Sequence, residues 1–87
     1  MNFEGFEWDN GNKEKNLIKH DVTRDEVEEV FYNKVKYRRA NNSRYHLFGQ
    51  TAAGRCLFVV FEFKSTLVRV ISARDMTQKE RRYYDQK

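Results

Sequence analysis

The sequence has no proline, four glycines, one cysteine and two histidines. Each scarcity excludes something. With no proline, no repeat and no low-complexity tract, nothing marks a linker, and 87 residues make one domain spanning 1–87. A single cysteine excludes an internal disulfide and fits a reducing compartment. Cys56 adjoins the apolar run Leu57-Phe58-Val59-Val60-Phe61 and reads as a small core residue. The glycines form neither a phosphate-cradling loop nor a Gly-x-Ser-x-Gly elbow. His20 and His46 are too far apart, with too few carboxylates beside them, to form a recognised metal-ligand set. No apolar stretch approaches the roughly 20 residues that span a bilayer, and the acidic start is unlike a signal peptide. These absences lead us to expect a soluble cytoplasmic protein without metal, cofactor or membrane partner.

Aromatic residues and positive charge are plentiful. Seven Phe, five Tyr and one Trp supply large apolar bodies to a chain too short for a big core. The net charge of +4 favours an anionic partner. Phe3, Phe6 and Trp8, interleaved with Glu4 and Glu7, read as a short first strand. The turn cluster Asp9-Asn10-Gly11-Asn12 then offers caps for a helix over about 13–20. Thr23 and Glu26 have capping-box spacing at the head of a second helix, whose Val27, Val30 and Phe31 share one face. Its acids, Asp25, Glu26, Glu28 and Glu29, read as a solvated surface, which argues against a carboxylate-pair hydrolase.

The charge changes sign after this helix. Lys34, Lys36, Arg38, Arg39 and Arg44 occur without an intervening acid, with Tyr37 and Tyr45 among them and a turn at 40–43. Cations interleaved with aromatics suit a nucleic-acid backbone and unstacked bases, although such charges also protect an edge strand from aggregation. Strands are expected over about 44–50, 55–63 and 66–73, with gaps short enough for an antiparallel meander. Thr77 and Glu80 form a second capping box, opening a helix over about 77–85. The expected class is α+β, with two N-terminal helices packed on a small antiparallel sheet and a C-terminal helix.

The last strand is the most informative segment. Val68, Val70 and Ile71 flank Arg69, and Arg74 falls where strand gives way to helix. A forked, permanently charged donor there suits phosphate, or else pairs with Asp75 or Glu80. Lys19 and His20 end the first expected helix, while Arg44, Arg55, Arg69, Arg74, Arg81 and Arg82 spread cations over the remaining elements, with Tyr83 and Tyr84 nearby. Such a set suits metal-free RNA cleavage. The 2′-hydroxyl attacks phosphorus, a base takes its proton, and cations stabilise the phosphorane. A non-catalytic module holding RNA or protein through the same basic surface is the alternative.

Phe6-Glu7-Trp8-Asp9, Asn16-Leu17-Ile18-Lys19-His20, the segment 44–49, Gly54-Arg55-Cys56-Leu57-Phe58-Val59-Val60-Phe61, Arg69-Val70-Ile71-Ser72-Ala73-Arg74 and Thr77-Gln78-Lys79-Glu80-Arg81-Arg82-Tyr83-Tyr84 together resemble the BrnT toxins in order and spacing. The resemblance spans essentially the whole chain. It implies a RelE-like fold and the toxin role in a bacterial type II toxin–antitoxin pair, cleaving RNA to arrest growth. A ribbon-helix-helix antitoxin of the BrnA type would neutralise the toxin, and the complex would bind operator DNA. Carried over by residue, it implies catalytic roles for Lys19, His20, Arg44, Arg69 and Arg74, and it matches Tyr83 to a family tyrosine that either packs or acts in catalysis. From the cationic set, Arg55 and Arg81 are expected to touch substrate together with Tyr83. The chain departs from the family pattern at Asn12, Asp21, Arg24 and Phe63, where a lysine, a glycine, an aromatic and an acid are usual.

Overall fold

The structure, a computed structural model, describes residues 2–8 and 21–86. Its elements in chain order are β1 (Gly5–Glu7), α1 (Arg24–Tyr32), β2 (Val35–Arg39), β3 (Arg44–Gln50), β4 (Cys56–Lys64), β5 (Leu67–Asp75) and α2 (Gln78–Asp85). The five strands form one sheet in the order β1-β5-β4-β3-β2. β2 to β5 run antiparallel to their neighbours, whereas β1 lies parallel to β5.

This corrects the expected architecture of two N-terminal helices on a small antiparallel sheet. The sheet is mixed, and its edges are two strands distant in sequence, β1 and β2. Among the described residues a single helix, α1, precedes the sheet's main body. The helix expected over 13–20 lies outside the described residues. The basic stretch after α1, open in sequence to a nucleic-acid contact or an edge strand, supplies the edge strand β2. Starting at one edge, the chain passes through α1 to the far edge and then returns strand by strand, so β5 arrives parallel to β1. That pairing joins residues about sixty apart, which local patterning does not report.

Strand alternation divides the sheet into two faces. Leu47 on β3, Leu57, Val59 and Phe61 on β4, and Val68, Val70 and Ala73 on β5 are buried with Val27, Val30 and Phe31 of α1. Fully burying side chains of this size contributes roughly 1.5–3 kcal/mol each. α1 begins at the expected capping box, with Thr23 accepting from the Glu26 N–H and Glu26 accepting from the Thr23 N–H. It seats closely because β3 carries Gly49, where a Cβ would come within 3.1 Å of the Val30 Cβ. At the β1 edge, Phe6 meets Phe31 edge-on at 5.1 Å, and the Trp8 indole donates to Glu28 at 2.6 Å.

The second face is sparser. Phe48, Phe58 and Met76 are buried there, with Cys56, Val60, Tyr83 and Tyr84 packed against them. α2 covers this cluster although none of its own residues is fully buried. The helix is held largely by polar contacts: its capping box, the Lys36 ammonium donating to the Tyr83 and Gln86 carbonyls, and the Tyr84 hydroxyl donating to the Lys34 carbonyl at 2.6 Å. Lys36 thereby supplies a cation to the helix's carbonyl end. The β2–β3 hairpin turns through Asn42 and Ser43, both left-handed at φ 62° and 61°, as a tight hairpin requires. Among the described residues no helix is long and apolar enough to cross a membrane.

Candidate functional site

Cross-strand register assembles three rows of side chains on the α2 face. The first runs Lys36, Phe48, Phe58, Arg74; the second Arg38, His46, Val60, Ser72; the third Arg44, Glu62, Arg69, Glu7. Arg44, Arg69 and Arg74, the cations expected around substrate, thus share one face, joined by Arg38. A bulge at Val60/Phe61 leaves Ile71 without a cross-strand partner and re-aims β5 between the Arg69 and Ser72 positions.

Arg74 shows how this face positions charge. Its guanidinium carbon lies 4.4 Å from the Phe58 ring centroid. Its two terminal nitrogens donate to the two oxygens of Glu80 at 2.8 and 2.9 Å, and one also donates to the Asp75 carbonyl at 3.0 Å. The arginine is laid flat on an aromatic and forked into a carboxylate, a geometry that only guanidinium provides. The Arg74 hydrogen bonds hold the Glu80 carboxyl below its ordinary range, and the same bonds raise Arg74. Glu80 also accepts from the Thr77 N–H at 2.8 Å, so a single carboxylate caps α2 and orients Arg74.

Arg38 is stacked in a similar way. Its guanidinium carbon is 5.2 Å from the Tyr83 ring centroid and 5.5 Å from that of Phe48, and Lys36 approaches the same tyrosine at 5.0 Å. Tyr83, expected to touch substrate, packs against Phe48 at 4.9 Å and forms the aromatic floor beneath these cations. Beside Arg38, His46 is half-buried with its ring 5.1 Å from Phe58. Burial lowers the His46 pKa, and Arg38 and Arg74 lower it further against the opposing pull of Glu80. Arg38, Arg39, Arg44, His46 and Val60 line an open groove of about 510 Å³ along the β2–β3 hairpin.

The remaining expected residues lie elsewhere. Arg55 projects to the α1 side, where it donates to Asp75 at 2.7 and 3.0 Å, to Glu26 at 3.1 and 3.2 Å, and to the Asp21 carbonyl at 2.9 Å. It ties the start of α1 to the end of β5, and Asp75 and Glu26 raise its pKa. Arg81 is exposed on α2. Lys19 and His20 lie outside the described residues. Among those described, no group of three or more His, Cys, Asp or Glu side chains could hold a metal ion.

Residues 8–80 match the family described as the ribonuclease toxin BrnT of type II toxin–antitoxin systems. This chain belongs to the BrnT family. A search of curated proteins finds no match to it. Among solved structures, it resembles the Brucella abortus ribonuclease toxin BrnT, with a TM-score of 0.71 at 21 % identity over 85 % of this chain and 97 % of that one. At that identity the likeness shows a common fold. BrnT family membership brings an antitoxin partner and an RNA substrate.

Two departures from the usual BrnT pattern have structural settings. Asp21, where the family usually has glycine, sits in left-handed backbone at φ 54°. Phe63 faces the core and packs on Phe61 and Tyr45, while the adjacent Glu62 faces the site between Arg44 and Arg69. Sequence pattern marks Arg38 only as part of the basic stretch after α1 and does not group it, His46 or Ser72 with the arginines of this face. The two-residue period on β3 could have found His46, which alternates with Arg44 and Phe48 on the basic face.

Proposed function

We propose that this chain is a metal-independent endoribonuclease whose cutting of RNA arrests growth. The observation carrying this reading is the gathering of Arg38, Arg44, Arg69 and Arg74 on one sheet face of a BrnT family member. These guanidiniums hold the scissile phosphate and stabilise the extra negative charge of the phosphorane, the task a metal ion performs in other nucleases. Lys19 or His20 moves a proton or adds charge, and Arg81 and Tyr83 border the bound strand. Arg55 contributes through the position it gives β5. The site works in the cytoplasm, and a ribbon-helix-helix antitoxin closes it by covering the basic face with acidic groups. The toxin–antitoxin complex, rather than the toxin alone, binds operator DNA. Electrostatic attraction speeds that capture, so raised salt slows association with the antitoxin.

The test is a labelled single-stranded RNA incubated with the purified protein in EDTA, beside induction of the gene in growing cells. Fragments ending in cyclic phosphate, together with growth arrest relieved by the antitoxin, are expected. The Glu80 carboxylate already forked onto Arg74 favours a second reading, in which the face retains RNA without cutting it. Intact but bound RNA is the outcome that reading requires.

A further inference from the structure

The function proposed above leaves the proton acceptor among Lys19 and His20, yet His46 stands within the cationic rows themselves. Arg38 is its cross-strand partner on β2, and Val60 is its partner on β4. Directly opposed side chains in such pairs have Cβ atoms about 4.5–5.5 Å apart. Phe58 links His46 to Arg74, with the imidazole edge-on at 5.1 Å and the guanidinium at 4.4 Å from the same ring. Arg44, two residues back on the same strand, lines the groove with it. Arg38 and Arg44 line that groove together with His46, so a phosphate held between these two guanidiniums sits against this imidazole.

We propose that His46 is the general base of RNA cleavage at this site, an assignment that rests on the ribonuclease reading. The imidazole takes the proton of the 2′-hydroxyl. The 2′-oxygen electron pair forms the new bond to phosphorus, and the P–O5′ bond breaks with its pair on the 5′-oxygen. That oxygen takes a proton from water, and the imidazolium returns its own proton to the hydroxide left behind. The products are a cyclic phosphate and a free 5′-hydroxyl, and the base is restored.

The charged surroundings suit the neutral, proton-accepting form. Arg38 faces His46 from β2 and Arg44 flanks it on its own strand, while Arg74 and Arg69 of β5 lie one row away on either side. Glu80 from α2 and Glu62 from β4 oppose them, but Glu80 is engaged by Arg74. Burial and the arginines prevail, leaving the imidazole below its ordinary value. It is thus free to accept a proton at neutral pH.

The experiment compares the parent protein with His46→Gln in EDTA, using labelled RNA and an analogue whose 2′-deoxy position cannot attack. Loss of a general base costs on the order of 10²–10⁴ in rate, and that fall is expected with analogue binding retained. The parent rate should rise with pH along a limb whose midpoint matches the His46 imidazole titration followed by NMR, and His46→Gln should lack that limb. The parent measurement stands even if the variant fails to fold. A cutting parent accompanied by an undiminished His46→Gln overturns the assignment alone, as does a limb that departs from the His46 titration. A parent that leaves RNA intact overturns it together with the ribonuclease reading.

Discussion

The two faces of the sheet alternate along the same strands, yet they carry opposite kinds of side chain. Toward α1, β3 to β5 present Leu47, Leu57, Val59, Phe61, Val68 and Val70, all buried beneath a helix seated on Gly49. Toward α2, those strands present His46, Phe48, Phe58, Ser72 and a set of arginines under a helix held mainly by hydrogen bonds and ion pairs. The first face supplies the apolar burial that stabilises this short chain. The second gathers arginines on one face, Arg38 and Arg44 exposed and Arg69 and Arg74 half-buried, which adds little stability but suits a polyanion. Damage to the first face should therefore appear as unfolding, and damage to the second as lost activity in a folded protein.

The largest effect should come from Phe61→Ala. Phe61 is fully buried and touches the rings of Phe31, Tyr45 and Phe63, so its truncation should cost about 3–5 kcal/mol in urea unfolding. On the other face, Arg74→Ala should lower RNA cleavage by about 10²–10³. Because Arg74 is part-exposed, its loss should shift urea stability by no more than about 1 kcal/mol. A large loss of stability in Arg74→Ala, or full cleavage by it, breaks the contrast between the faces. Gly49→Ala should cost an intermediate amount, about 1–3 kcal/mol, by forcing Val30 and α1 outward.

The smallest effect belongs to Glu80→Gln. Glutamine can keep the capping box while the ion pair to Arg74 is lost. The Glu80 pKa is lower folded than unfolded, so its contribution is present above the ordinary value of 4.5 and fades as pH falls through the folded value. Thermal midpoints of parent and Glu80→Gln should accordingly differ at pH 7 and converge in acid. A difference that persists in acid would show that the carboxylate charge is not what holds Arg74.

Local chemistry made the elements that depend on near neighbours readable. Thr23 with Glu26 and Thr77 with Glu80 mark both described helices, and alternating or continuous apolar residues mark β3, β4 and β5. The parallel placement of β1 against β5 was not readable, because it depends on where the chain goes between distant residues. β2 was obscured by charge: an edge strand needs little apolar content, and Lys36, Arg38 and Arg39 look the same in a loop. The site was partly legible for a related reason. Arg44, Arg69 and Arg74 stand out as cations in strands, but only register shows them on one face with Arg38 and His46. Arg55 looks equivalent in sequence, and its partners Glu26 and Asp75 become visible only in three dimensions.

The claim that the α2 face is where RNA acts can be tested directly by recording amide chemical shifts of the labelled protein with a short single-stranded RNA made uncleavable by 2′-deoxy substitution. Shifts concentrated at Arg38, Arg44, His46, Ser72 and Arg74, with the α1 residues Asp25, Glu28 and Glu29 unmoved, are the expected result. Shifts centred on α1, or spread evenly over both faces, would contradict it.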